Sequence, residues 1–374
     1  MNKASGNPAG ILDPMLTAGE SLEGSFYHAA MHRALDFYSS FDQQIFLAKG
    51  LLKHARSPSE KQKFTKFHGS KINGPKIHGQ DRLQKDLMSI TREGNLYFPG
   101  LGAISPPKIK DTLTQMLAIK NNKNITHFTH DQKWHLYEGD RLQATADAIV
   151  LCCGPGTRYF SATDHLPLEQ VRGQITFLDA EKCPNSSLNL APNLAQNMPQ
   201  NMPQNLPNQI LCAKGYIIPP FDLNGHRTMI AGATFSRNDT DLSLRAEDHA
   251  ENLKNAENLW PDIGQRSVTG GRCGIRAYSP DHMPLCGPVA DHEKYQTAYQ
   301  MLKHGPQHKP FPPAPYMPNL YTVSGLGARG FLTAPLLGDI IAALMTGRPL
   351  PVTQKVYEAL HPARFLIRTL TKGK

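Results

Sequence analysis

Near the C-terminus, a strand pattern leads into a glycine-rich turn and then into an apolar helix. Asn319–Ser324 has the composition of a strand, Gly325–Gly330 reads GLGARG, and Ala334–Met345 is an apolar helix stopped by Gly347 and Pro349. Glycines let a ligand approach the backbone, and a helix N-terminus offers free N–H groups and positive dipole charge. The unit therefore predicts an α/β fold with a ligand at the turn, although a plain tight turn is the alternative interpretation.

A second strand of the same kind is predicted at Ala148–Cys153, an unbroken apolar run that ends at Gly154. Such a run is typical of a buried parallel strand, so we expect Cys152 and Cys153 to be buried, reduced thiols. Residues 166–182 and 210–235 are rich in Ile, Val, Phe and Thr and predict an antiparallel sheet. The expected fold class is α/β (α+β), with a Rossmann-like parallel sheet and an antiparallel-sheet domain.

Other segments predict the remaining organisation. Apolar spacing predicts a helix over Glu23–Leu52, and glycine and proline predict a loop over Asn95–Pro107. Residues 53–85 are expected to form a basic surface region with room for a short helix, and residues 185–208 a disordered low-complexity insertion. The sequence carries a net charge of +9 and a basic end containing Arg364, Arg368, Lys372 and Lys374, which favours a polyanionic partner.

The chain contains no apolar run long enough to span a membrane and no apolar signal-peptide core, so we expect no membrane association and a cytoplasmic location. Its six cysteines form no C-x-x-C pair, and no metal site is predicted.

The second candidate site is the segment Gly274–Pro288, GIRAYSPDHMPLCGP, in which Arg276 and Tyr278 stand on a predicted strand. A guanidinium pairs with a carboxylate through two parallel hydrogen bonds, so one arginine can both neutralise and orient an acidic substrate. A surface arginine without a ligand is the alternative. His282 could serve as a base, but a structural role is the simpler interpretation.

Together, these two motifs resemble the C-terminal half of the D-amino-acid-oxidase-like flavoproteins, which include glycine oxidase, sarcosine oxidase and the oxidase domain of MnmC. Three features are similar to MnmC in particular: the opening Ala4-Ser5-Gly6-Asn7, the motif Leu326–Gly330 with Ala334-Pro335-Leu336, and the final HPARFLIRTLTKGK. The resemblance covers most of the chain outside residues 53–85 and 185–208.

The resemblance implies an FAD-dependent oxidation of the carboxymethylaminomethyl group on the wobble uridine of tRNA, which leaves aminomethyluridine. It implies that Arg276 clamps the substrate carboxylate, that Tyr216 and Tyr278 wall the pocket, and that the basic tail contacts tRNA. Residues 1–50, 95–160 and 319–374 would form a partial FAD-binding domain, and 161–318 the substrate domain. The implied cofactor-binding residues are Ser5, Gly6, Asn7, Gly154, Gly325, Leu326, Gly327, Ala328, Arg329, Gly330 and Phe331.

The sequence departs from this family at its beginning, where the opening strand, G-x-G-x-x-G turn and helix that bind the ADP half of FAD in the family are not found. We therefore expect the parallel sheet to lack its first βαβ unit, and an upstream segment or a methyltransferase domain is a candidate partner. Two further hypotheses stay open. The chain could be an oxidase of small glycine- or sarcosine-like amines, or a non-catalytic remnant that retains affinity for tRNA.

Overall fold

The computed structural model describes residues 4–17, 21–69, 88–180, 209–305 and 310–373. The strands are β1 (Gly10–Ile11), β2 (Phe46–Lys53), β3 (Ser89–Ile90), β4 (Leu96–Ile104), β5 (His127–His130), β6 (Trp134–Glu138), β7 (Arg141–Ala146), β8 (Ile149–Leu151), β9 (Glu169–Asp179), β10 (Ile210–Cys212), β11 (Tyr216–Leu223), β12 (His226–Gly232), β13 (Ser236–Arg237), β14 (Val268–Tyr278), β15 (Leu285–Ala290) and β16 (Tyr316–Ser324).

The described helices are α1 (Leu22–Ser39), α2 (Pro58–Gly69), α3 (Pro106–Met116), α4 (Ala246–Glu257), α5 (His292–Tyr299), α6 (Gly330–Thr346), α7 (Gln354–Leu360) and α8 (Arg364–Thr371).

The chain folds as two compact units. The first unit comprises residues 1–115 and 171–275, and the second comprises residues 116–170 and 276–374. These bounds differ from those of the domains predicted from the sequence. The division into two compact units does not show which unit binds the cofactor or the substrate. The assignment of a cofactor domain and a substrate domain therefore stays a prediction.

The first unit is built on a ten-stranded mixed sheet with the order β1-β4-β2-β10-β11-β12-β9-β13, in which β14 also pairs with β9 and β3 with β4. The predicted antiparallel sheet is present in it, because β9, β12, β11 and β10 are neighbours that run antiparallel. Helix α4 covers a core that includes Leu178, Leu211, Ala256 and Trp260. Burial of such apolar surface is the main stabilising contribution.

Two predictions in the first unit are wrong in part. The predicted helix over Glu23–Leu52 ends at Ser39, and Phe46–Lys53 is a strand that pairs antiparallel with β4 and parallel with β10. The hydroxyls of Ser39 and Ser40 donate to carbonyls of the last turn, which favours the end of the helix there.

The predicted loop over Asn95–Pro107 is instead mostly strand β4. Gly102 serves close strand pairing rather than a turn, because a Cβ there would collide with the carbonyl of Ala48 on β2. In the basic region, α2 is the predicted short helix, and residues 70–85 lie outside the described residues. The low-complexity insertion also lies outside them.

The second unit contains two three-stranded sheets, β15-β16-β8 and β5-β6-β7. The sequence also predicts short strands at His127–Thr129, Trp134–Tyr137 and Arg141–Thr145, and strands β5–β7 confirm them. Strand β8 pairs parallel with β16, as its apolar run indicated. Trp134, Ile149, Leu151 and Leu320 form part of one core in this unit. The mixed α/β class predicted from the sequence is confirmed.

The prediction that Cys152 and Cys153 are buried is wrong, because both are exposed. They follow β8, and within the described residues β8 pairs only with β16, so one of its edges has no neighbouring strand. Val150, at the middle of β8, is exposed as well. All five described cysteines are free thiols, and Cys183 lies outside the described residues.

Candidate functional site

The predicted glycine turn joins strand β16 to helix α6 in the second unit. Gly325 and Gly327 have φ values of +70° and +59°, in the left-handed region that favours glycine. The N–H of Gly327 donates to the carbonyl of Ala277 at 2.9 Å, which fixes the turn against β14. Helix α6 begins at Gly330, four residues before the predicted start, so its N-terminal N–H groups lie directly after the turn.

Gly154 lies beside this turn. It follows β8, and its carbonyl accepts a hydrogen bond of 3.1 Å from the Ser324 hydroxyl at the end of β16. Because β8 and β16 are parallel, both glycine turns lie at the carboxyl ends of their strands, where open α/β sheets bind ligands. Gly154 has a φ of +56°, and a Cβ added there would meet nothing within 4 Å. The backbone at Gly154 is therefore open to a ligand.

Arg276 and Tyr278 lie on the same face of β14, because side chains alternate along a strand. Both are half-buried, and Ala277 between them is buried in a core on the opposite face with Leu166, Leu168 and Leu285. Tyr278 forms a bridge with Leu326, and its ring lies against Gly327. The structure thus brings Tyr278 to the glycine turn, with Arg276 on the same face of β14.

The remaining turn residues have structural contacts of their own. The carbonyl of Arg329 accepts bonds from the N–H groups of Leu332 and Thr333, each at 3.0 Å, and Thr333 adds its hydroxyl. Arg329 is thus the N-cap residue of α6, and Phe331 lies in the first turn of that helix. Leu326 and Ala328 complete the loop between β16 and α6.

Ser5, Gly6 and Asn7 lie in the first unit, where Ala4–Gly6 forms a single 3-10 turn. Arg272 on β14 donates to the Asn7 side chain at 2.5 Å. A Cβ at Gly274 would lie 3.0 Å from the Cα of Ala4, so glycine permits this turn to pack against β14. The predicted contribution of these residues to a cofactor site stays a prediction.

Tyr216 also lies in the first unit, at the beginning of β11. Its ring packs over Gly232 of the neighbouring strand β12, where an added Cβ would lie 2.9 Å from the phenol oxygen. Packing against Gly232 therefore accounts for the position of the Tyr216 ring. The predicted role of Tyr216 as a wall of the substrate pocket stays a prediction.

An ion pair between a half-buried aspartate and a buried arginine follows Tyr278, and sequence reasoning missed it. Arg364, the first residue of α8, donates to both carboxylate oxygens of Asp281, at 2.7 and 3.0 Å. Arg368 adds a bond of 2.9 Å to the same carboxylate. Burial by itself would raise the pKa of Asp281, but the hydrogen bonds and charge of Arg364 and then Arg368 lower it to about 2. The carboxylate is therefore ionised at neutral pH.

This pair corrects the expectation that all basic residues of the tail face a polyanion. The side chain of Arg364 is only 5% exposed, whereas that of Arg368 is 55% exposed. Lys372 is exposed, and Lys374 lies outside the described residues. Arg368 and Lys372 are therefore the described tail cations that an external phosphate can reach.

Within the described residues, no group of three or more His, Cys, Asp or Glu side chains has the arrangement of a metal site. No described helix combines the length and apolarity that crossing a bilayer requires.

The comparisons with known proteins place this arrangement in a family. The family model described as DAO, FAD dependent oxidoreductase, matches residues 2–344. The chain belongs to the DAO family of FAD-dependent oxidoreductases. This confirms the predicted flavoprotein superfamily, the oxidoreductase class and FAD as the family's cofactor.

Relatives of this DAO-family chain carry the name tRNA 5-methylaminomethyl-2-thiouridine biosynthesis bifunctional protein MnmC. The protein from Magnetococcus marinus is 32% identical over 391 aligned positions, which cover 99% of this chain and 55% of that protein. The protein from Pseudomonas aeruginosa is 30% identical and is covered to the same 55%. The DAO-family chain thus spans about half the length of these relatives.

Solved structures of DAO-like flavoproteins share the fold. Glycine oxidase from Geobacillus kaustophilus matches with a TM-score of 0.64 at 20% identity, over 97% of this chain and 89% of that one. Iminodiacetate oxidase from a Chelativorans species matches with a TM-score of 0.59 at 18% identity, over 95% of this chain and 89% of that one. These matches confirm the fold predicted from the sequence.

The residues of the second unit fit a flavin nucleotide in two respects. Gly154 leaves open space at the end of β8, and the N-terminus of α6 presents N–H groups beside the turn from Gly325. Such groups stabilise negative charge, which a flavin ring gains when it is reduced and which the phosphates of a dinucleotide carry permanently.

Proposed function

We propose that this chain oxidises the carboxymethylaminomethyl group of 5-carboxymethylaminomethyl(-2-thio)uridine at the wobble position of tRNA, and so removes the carboxymethyl group. The observation that carries the proposal is the placement of Arg276 and Tyr278 on one face of β14, with Tyr278 against the glycine turn of a DAO-family fold. The similarity to MnmC proteins along the whole chain supports tRNA as the substrate class.

The substituent on this uridine is a glycine whose nitrogen carries the nucleoside, so it combines a secondary amine with a carboxylate. FAD supplies the two-electron oxidation of the carbon–nitrogen bond when it is bound. Addition of water then releases glyoxylate and leaves aminomethyluridine. The protein's part is to bind the substituent, to orient it and to exclude bulk water.

Arg276 is the proposed clamp for the substrate carboxylate. Two parallel hydrogen bonds from one guanidinium fix both the position and the direction of a carboxylate. Holding a reactant in its reactive geometry contributes much of the rate that an enzyme provides. Tyr278, held in place by Gly327, would limit where the substituent can lie, and Tyr216 stays a predicted second wall.

The cofactor would be held by the turn Gly325–Phe331 and by Gly154, with Ser5, Gly6 and Asn7 as further proposed contacts. The glycines would allow close approach, and the first N–H groups of α6 would donate to the flavin. Lys372 and Arg368 would contact tRNA phosphates without reading sequence. A methyltransferase domain or another upstream segment, as the greater length of the relatives suggests, is the proposed protein partner, and the cytoplasm the proposed location.

The proposal is tested by presenting FAD-treated protein with two substrates, tRNA carrying the modified wobble uridine and a free N-substituted glycine. We expect glyoxylate from the tRNA at low micromolar concentration, and at least about 100-fold lower kcat/KM on the free amine, because the tRNA body contributes binding energy. Equal efficiency on both would favour a small-amine oxidase. Binding of tRNA without retained flavin or glyoxylate would favour a non-catalytic remnant.

A further inference from the structure

The turn that follows Tyr278 is anchored by a side chain more than 80 positions away in the sequence. Arg364 donates to Asp281, to the carbonyls of Met283 and Pro284, and to the carbonyl of Leu360 at the end of α7. Its distances to these acceptors lie between 2.7 and 3.1 Å. A guanidinium has five N–H donors in a planar fork, and this environment occupies every nitrogen of Arg364.

Hydrogen bonds within the anchored turn also stabilise it. The hydroxyl of Ser279 donates to the carbonyl of Met283 at 2.6 Å, and the N–H of Met283 donates to Asp281 at 3.2 Å. His282 between them has a φ of +61°, a conformation that costs a residue with a side chain about 1 kcal/mol. The bonds of Arg364 to Asp281 and Met283, on either side of His282, hold the turn in this strained conformation.

The turn continues directly into the candidate site. Ser279 follows Tyr278, and an added Cβ at Gly325 would lie 3.4 Å from the Ser279 nitrogen. The ring of His282 packs edge-on against Tyr278 at a centroid distance of 5.6 Å. A shift of the turn would therefore move the Tyr278 ring, and with it the strand end that carries Arg276.

We propose that Arg364 and Asp281 are positioning residues, which set the geometry of Arg276 and Tyr278 for the carboxylate substrate. This inference rests on the proposed function. As positioning residues, neither of them would touch the substrate, and both would act through the turn 279–284. A displacement of about 1 Å at a reacting centre can cost about 100-fold in rate, so a small movement of this turn suffices for a large kinetic effect.

The test compares Arg364→Lys with a matched control, Arg172→Lys. Arg172 is also fully buried and also pairs with an aspartate, Asp248, but it lies in the first unit and forms no bond to the turn. Lysine retains the charge and loses the planar fork, so both variants should lower the melting temperature. We expect only Arg364→Lys to raise KM for the carboxylate substrate, by at least 10-fold, with unchanged flavin content.

A second readout does not depend on turnover. In hydrogen exchange measured by mass spectrometry, Arg364→Lys should accelerate exchange at least 10-fold in the peptide 276–284 and at Gly327, whose N–H bonds to Ala277. Arg172→Lys should leave both unchanged. A double variant with Arg364→Lys and Asp281→Asn should have a KM no higher than the larger KM of the two single variants, because the pair acts as a unit.

The outcomes separate this inference from the proposed function. If the parent protein releases no glyoxylate, the proposed function fails, and the exchange measurement alone decides the positioning role. If the parent is active and Arg364→Lys has the KM and the exchange pattern of the Arg172→Lys control, Arg364 is merely structural and the inference is overturned.

Discussion

The ring of Tyr278 lies so close to Gly327 that a Cβ added at Gly327 would come within 2.5 Å of Tyr278 Cε1. The contact joins a predicted catalytic residue to the predicted cofactor turn. Since Gly327 also has a φ of +59°, any larger residue would both strain the backbone and displace the ring.

Gly327→Ala should therefore lower kcat/KM at least 10-fold and destabilise the protein by about 2 kcal/mol. The control is Gly347→Ala at the other end of α6, where φ is +68° and an added Cβ would meet nothing within 4 Å. That variant should show the loss of stability from backbone strain with unchanged kinetics. Equal kinetic losses in the two variants would argue against a site at Tyr278.

Gly154 provides a test of cofactor binding that is separate from turnover. Gly154 and Gly139 have φ values of +56° and +55°, and an added Cβ at either would meet no protein atom within 4 Å. Replacement by alanine should cost the same stability at both, about 1 to 2 kcal/mol. We expect only Gly154→Ala to weaken FAD binding, by at least 10-fold in a fluorescence titration. Equal FAD affinity in both variants would show that Gly154 is not part of the cofactor site.

Arg276→Gln should raise KM for the modified tRNA about 100-fold with little change in flavin content, because a neutral amide cannot replace a charged bidentate clamp. Arg141→Gln, at an exposed position of the β6–β7 hairpin, removes the same charge away from the site and should leave KM unchanged. An Arg276→Gln variant that loses its flavin without a rise in KM would place Arg276 in cofactor binding instead.

In the second unit, the elements that short stretches of sequence determine could be predicted. The glycine turn before α6, the β5–β7 strands and the parallel strand β8 each depend on a few consecutive residues, and each was predictable from the sequence. The helix start at Gly330 was missed because the glycine-rich run Gly325–Gly330 also suits a loop. Strand β4 was missed because its glycines also suit a turn, although Gly102 in fact permits close pairing with β2.

Contacts between distant parts of the sequence could not be predicted in this way. Asp281 and Arg364 lie 83 residues apart, and nothing in their neighbouring residues indicates that they pair. The cluster of basic residues at the C-terminus suggested solvent exposure for all of them, because charge alone does not reveal a distant acidic partner. Asn7 and Arg272, 265 residues apart, are a second example.

The pH dependence of stability should include a contribution from His361. Burial and then the charge of Arg364 lower the pKa of His361 to about 4. Its Nδ1 accepts a bond from the N–H of Ala363 at 3.1 Å, which requires an unprotonated nitrogen. The unfolded chain binds a proton near pH 6.5, so this contribution is complete above about pH 6.5 and is lost as the pH falls towards 4.

His361→Asn keeps an acceptor for Ala363 and cannot titrate. We expect the difference in unfolding free energy between pH 7 and pH 4.5 to be smaller in the variant by about 1 to 2 kcal/mol. The measurement is chemical denaturation at both values. An unchanged difference would show that His361 is not held neutral in the folded protein.

Arg368→Gln should weaken tRNA binding about 3- to 10-fold near 100 mM salt and reduce the magnitude of the slope of log K against log salt by about 1, as expected for the loss of one phosphate contact. Stability should change by less than about 1 kcal/mol, because Arg364 still holds Asp281 and exposed ion pairs contribute little. Arg141→Gln is again the charge-matched control. The same loss of affinity in the control would assign tRNA binding to overall charge rather than to the tail.

Oxidation of the tRNA substituent by this chain can be measured in a single-turnover experiment without oxygen, in which FAD-loaded protein is mixed with tRNA carrying the carboxymethylaminomethyl group. Flavin absorbance near about 450 nm and released glyoxylate are followed together. We expect the absorbance to be lost and one glyoxylate to appear per flavin reduced. Retained absorbance and no glyoxylate from flavin-loaded protein would contradict the proposed oxidation.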